Sequence, residues 1–95
     1  MAVVGQFRVE SGAQADHEAL DAVVSGAMDR GGGPPAALMA HLVRPDGEGF
    51  VVLQVWRSEA EMRRFHESVL MPALDQLNLV SGKWTVWPLW GFAAP

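Results

Sequence analysis

Cysteine is absent from this 95-residue chain, which excludes a disulfide framework, a thiolate metal site, an iron–sulfur cluster and a cysteine nucleophile. Tyrosine is absent too, so no phenol side chain is available for catalysis. Basic charge is scarce: seven Lys and Arg stand against eleven Asp and Glu, a net charge of −4, with no basic run. Nucleic-acid affinity rests on neutralising phosphates, and anionic membranes attract cations, so neither partner is expected. No apolar run approaches the ~18 residues of a membrane span. The opening MAVVGQFRVE lacks the basic stretch and apolar core of a secretory signal, and a cytoplasmic location is expected. What the chain has is apolar content, 49% hydrophobic, enough for one folded domain over residues 1–95.

Glycine and proline punctuate the chain at Ser11-Gly12, Gly31 to Pro35, Pro45 to Gly49, and Asn78 to Gly82. Between them, Ala2 to Glu10 alternates as a strand, with Val3, Gly5, Phe7 and Val9 on one side and Val4, Gln6 and Arg8 on the other. Gln14 to Arg30 reads as a helix, with apolar residues three and four apart, Asp16 and Glu18 near its start and Arg30 at its end. Ser11 and Gln14 have capping-box spacing. Ala36 to Arg44 and Phe50 to Arg57 are strands joined as a hairpin by Pro45 to Gly49. Ser58 then caps a second helix, with Glu61 placed to return the bond and Met62, Phe65, Val69, Ala73 and Leu77 on one face. Pro72 should kink or interrupt that helix. Lys83 to Trp90 is a last strand, and its Pro88 requires an edge, a bulge or an end.

The order is β-α-β-β-α-β, an α+β ferredoxin-like sandwich. Two helices cover one face of a four-stranded sheet. Phe50 to Trp56, however, is apolar on both sides: Phe50, Val52 and Trp56 on one, Val51, Leu53 and Val55 on the other. A bare second apolar face is unusual for a monomer, so two copies are expected to bury their sheets against each other as a homodimer.

The stretch Gly49 to Phe65, with a strand ending Val55-Trp56-Arg57-Ser58-Glu59 and an aromatic seven residues after the serine, resembles the antibiotic biosynthesis monooxygenase (ABM) superfamily. Leu70-Met71-Pro72-Ala73-Leu74 is similar to a break seen in many of its small members. The resemblance implies a dimeric α+β barrel with an open pocket in each subunit between sheet and helices. Some members oxidise aromatic polyketides with dioxygen and no metal or flavin, some act on quinones and others degrade haem. The haem-degrading branch uses an Asn, a Trp and a His where this chain has Gln6, Phe65 and about Asp75, so haem degradation is not expected. The implied reading is a protein that binds an apolar aromatic molecule, acting as a cofactor-free monooxygenase on a polyketide or quinol. The alternatives are a cyclase or isomerase working by proton transfer, or a non-catalytic dimeric binding domain.

His66, one position past Phe65, and His41, on the second strand, are the candidate bases. The competing readings are a boundary or solvent-facing histidine for His66 and a structural role, toward the pocket or the dimer interface, for His41. Arg8 is the candidate cation for an enolate, or else an ion-pair partner. Gln54 interrupts an apolar strand on the side of Phe50, Val52 and Trp56, so its amide is either satisfied by neighbours or aimed at a ligand. Gln6 shares a side with Arg8. Met62, Phe65, Trp56 and Trp84 are candidate apolar walls, with core packing the competing explanation for both tryptophans. His17 reads as a surface group. The histidines lack any metal-binding spacing, and no metal or other cofactor is expected.

Overall fold

The computed structural model describes residues 1–10 and 12–93; the expected cap at Ser11 lies outside them. Its elements are β1 (Val3–Val9), α1 (Gln14–Arg30), β2 (Leu38–Asp46), β3 (Gly49–Trp56), α2 (Glu59–Phe65), a π-helical segment (His66–Leu70), α3 (Met71–Gln76) and β4 (Thr85–Pro88). The strands form one sheet in the order β2-β3-β1-β4, every neighbouring pair antiparallel. This is the expected α+β, ferredoxin-like arrangement. Among the described residues, no helix is long and apolar enough to cross a membrane.

Register sorts the side chains. Val3, Gly5, Phe7 and Val9 of β1 lie opposite Trp56, Gln54, Val52 and Phe50 of β3, and His41 and Val43 of β2 join the same face. That face meets Leu20 of α1 and Met62, Phe65, Leu70, Ala73 and Leu74 of the later helical segments in one hydrophobic cluster. Val4, Gln6 and Arg8 pair with Val55, Leu53 and Val51, and with Ala40, Leu42, Arg44, Thr85 and Trp87 they make the opposite face. None of these belongs to the cluster that joins sheet to helices.

Three local outcomes differ from the sequence reading. First, β2 runs through Pro45 and Asp46, leaving a two-residue turn at Gly47 and Glu48. The proline is accommodated because β2 is an edge strand, where one side of the backbone needs no donor. Second, Ser58 caps α2 as expected, accepting the Glu61 N–H at 3.3 Å, but Glu61 does not return the bond and its carboxylate instead stands 3.6 Å from Arg64. At the start of α1, the Asp16 carboxylate accepts the Ala13 N–H at 2.7 Å.

Third, Pro72 changes the helical repeat. A proline in an unbroken α-helix withholds a donor and strikes the carbonyl four residues back. Here the preceding turn widens, and the Met71 N–H bonds to the His66 carbonyl five residues earlier. The added residue shifts the inward face, so Leu70 and Leu74 are buried where Val69 and Leu77 were expected, and those two are only partly covered. At the other edge of the sheet, Pro88 closes β4, and Trp84 precedes that strand.

Candidate active site

Between α1, the π segment and the β2–β3 half of the sheet lies a cavity of about 200 Å³. Its walls are apolar, among them Leu20, Met28, Val52, Phe65 and Leu70. The polar groups among the lining residues are His41, Gln54, His17 and Asp21. The volume lies below the ~300–1,000 Å³ common for drug-sized ligands but above the ~150 Å³ cavity that admits benzene. A more open cleft of about 260 Å³, lined in part by Gly12 to Gln14 and Arg44, lies near the start of α1, and neither Gln54 nor His41 reaches it.

Among the described residues, Gln54 is the one polar residue buried in the core, 3% exposed. Its carbonyl oxygen accepts the Trp56 indole N–H at 3.0 Å, and its amide nitrogen stands 3.2 Å from Nδ1 of His41. Both residues reach it for simple reasons. Trp56 is two positions along the same strand and therefore on the same face. His41 is its register partner across the β2–β3 pair. Burial lowers the pKa of His41 below the 6.5 of a free imidazole; the nearby Asp21 raises it and His17 lowers it further.

The other expected site residues fall into two further groups. His66, Trp84 and Met62 line a separate hollow of about 110 Å³, with Arg63, Glu67 and Val86. The rings of His66 and Trp84 meet edge-to-face at 4.4 Å, and Phe7 lies 4.6 Å from Trp84. Gly5 makes this possible, since a β-carbon there would stand 2.7 Å from the Trp84 ring and 2.8 Å from the Met62 sulfur. Nδ1 of His66 and Nε1 of Trp84 are buried without hydrogen-bond partners among the described residues. Burial lowers the His66 pKa, opposed by Glu67 and reinforced by Arg63.

Arg8 and Gln6 lie on the opposite face of the sheet, away from both hollows. There the Arg8 guanidinium donates to the Asp46 carboxylate at 3.0 Å and to the Asp46 carbonyl at 3.0 Å, with Glu10 at 3.4 Å. An enolate in the sheet–helix cavity is beyond its reach, because strand alternation turns its side chain through the sheet. The ion-pair reading of Arg8 is the one realised. His17 also departs from expectation: it is half-buried, its ring edge-to-face with Phe50 at 5.7 Å, and it lines the cavity.

The sequence reading missed the contribution of α1, whose Leu20, Asp21, Val24 and Met28 form one wall. The signal was present in their spacing of three and four, but periodicity marks a buried stripe without saying whether the space over it is filled. Pro34, from the loop after α1, completes the rim.

No protein-family model matches the sequence, and no curated protein matches it. The folded chain, in contrast, superposes on several solved structures. SnoaB, a cofactor-independent oxygenase from Streptomyces nogalater, is similar with a TM-score of 0.60 at 18% identity, over 96% of this chain and 93% of that one. A proposed antibiotic biosynthesis monooxygenase from Deinococcus radiodurans gives 0.63 at 17% identity, covering 98% and 96%. Rv0793 from Mycobacterium tuberculosis gives 0.62 at 14% identity, covering 99% and 100%. Over nearly its whole length, the chain has the fold of antibiotic biosynthesis monooxygenase proteins.

Proposed function

We propose that the protein binds a flat, apolar aromatic molecule between sheet and helices and oxygenates it without a cofactor, the substrate being a polyketide or quinol. The observation that carries this reading is the apolar cavity with His41 and Gln54 converging on it. The likeness to an oxygenase described as cofactor-independent supports the reaction class. In such chemistry the substrate itself is the reductant. An acidic ring C–H gives its proton to a base, Asp21 and His17 being the ionisable groups on the α1 wall of the cavity. The resulting carbanion passes one electron to dioxygen. The two radicals combine to a peroxide, the proton returns to it, and loss of water from the hydroperoxide leaves a carbonyl. One oxygen atom enters the product and the other enters water.

Oxygen uptake with anthrone- and quinol-type compounds tests this. Consumption that scales with enzyme and is abolished by filling the cavity with Leu20→Trp is the expected result. No uptake across the panel would overturn the oxygenase reading, and product formed anaerobically would assign proton-transfer chemistry to the same cavity.

The second apolar face supports a homodimer. Leu42 is 61% exposed and Trp87 is 45% exposed on it, with the half-buried Leu53 between their strands. Burying about 500 Å² of such surface gives roughly 12 kcal/mol gross at ~25 cal/mol/Å², before association costs are subtracted.

A further inference from the structure

The contacts of Gln54 admit only one consistent arrangement of hydrogens. An indole nitrogen can donate but never accept, so the oxygen of the Gln54 amide must face Trp56. The amide nitrogen then faces Nδ1 of His41, and an NH2 group can only donate. Nδ1 must therefore carry a lone pair, and in a neutral imidazole the single proton sits on Nε2. Turning the amide over would set two donors face to face at Trp56. Gln54 is too deeply buried for water to relieve that clash.

We propose that Trp56 and Gln54 hold His41 as the neutral Nε2–H tautomer, so that His41 donates a hydrogen bond to a carbonyl or enolate oxygen of the bound molecule rather than removing its proton. The donor role rests on the reading of the cavity as a small-molecule site; the tautomer does not. Nε2 of His41 makes no hydrogen bond among the described residues, and the cavity walls around the ring are mostly apolar. His41 is itself exposed at the rim of the cavity, so a ligand oxygen there would exchange water for a donor whose direction the Gln54 contact already fixes. Protonating Nδ1 would set an N–H against the amide NH2, so the relay opposes the cation in the same sense as burial does. Of the charged and titratable groups lining the cavity, Asp21 and His17 both come from α1; β3, the end of α2 and the π segment present none. Asp21 favours the imidazolium and His17 disfavours it.

Gln54 and Trp56 are thus positioning residues, and their effect is readable without a ligand. Long-range proton–nitrogen correlation spectra of the 15N-labelled protein at neutral pH report which ring nitrogen carries hydrogen. His41 is expected with a bare Nδ1 and a protonated Nε2. In Gln54→Glu, whose carboxylate accepts from both neighbours, the proton should move to Nδ1 and the titration of His41 should rise. A wild-type His41 protonated on Nδ1, or exchanging evenly between tautomers, would overturn the assignment whatever any variant does. For the donor role, α-tetralone and tetralin make a matched pair, alike in shape but differing in one carbonyl. The ketone is expected to bind roughly tenfold tighter, the worth of one well-made hydrogen bond, with the preference lost in His41→Phe. Equal binding would overturn the donor role. Binding of neither, with the Nε2–H tautomer in place, would sink the small-molecule reading of the cavity while upholding the tautomer.

Discussion

Gln54 shows how much one polar side chain in an apolar strand can organise. Its amide ties a core tryptophan to a cavity histidine, and removing either partner leaves a buried polar atom unmatched. Trp56→Phe should therefore cost more than the lost ring volume: the orphaned Gln54 oxygen adds about 1–3 kcal/mol, read as a lowered urea midpoint with unchanged slope. Histidine burial has its own signature. Both His41 and His66 are held below 6.5, so between that value and their lowered native values the unfolded chain binds more protons than the folded one. Stability then rises with pH across the window and is lost as pH falls through it. The urea midpoint should drop as pH is lowered from 6.5 and level off once the native rings are charged; a midpoint flat across that range would contradict the lowered titration of the two rings. At this scale the sequence identified Gln54 as an anomaly demanding partners. It could not name His41 as one of them, because the pairing is set by strand register across 13 residues.

Among the elements, the hairpin and the broken second helix carry the clearest lessons. Gly47 occupies the first of two turn residues with φ of 59°, a left-handed conformation that glycine adopts freely and a type II′ hairpin requires there. Gly47→Ala should destabilise the protein by about 1 kcal/mol or more, seen in thermal unfolding, because alanine is strained at that angle. The turn chemistry was legible from Pro45-Asp46-Gly47-Glu48-Gly49, but its exact extent was not, since whether β2 can continue through Pro45 depends on its being an edge strand. Pro72 likewise announced an interruption without its form. A kink, a break or a widened turn all answer the missing donor. The packing of Leu70 and Leu74 against the core goes with the widened turn, which adds a residue and keeps an apolar face inward.

At the level of the whole molecule, the sheet is covered on one face and open on the other. Leu42 is the residue on which the proposed association can be tested most cleanly, because in the single chain it is largely exposed and its replacement removes little packing. Leu42→Glu should shift the protein from twice the chain mass to one chain mass in size-exclusion chromatography with light scattering, with little change in the circular dichroism spectrum. A wild-type protein already running as one chain at micromolar concentration would count decisively against the dimer.

Element order, the apolar doubling of β3 and the oddity of Gln54 were determined by the sequence alone, because alternation, helical spacing and turn residues act over a few neighbours. The division of candidate residues among three places was decided by the tertiary structure. Arg8 and Gln6 went through the sheet to its far side, His66 and Trp84 to one hollow, His41 and Gln54 to another. The reason is physical. Which residues share a cavity follows from the register of strands and the extra residue in a π turn, and both are settled only when distant segments pack.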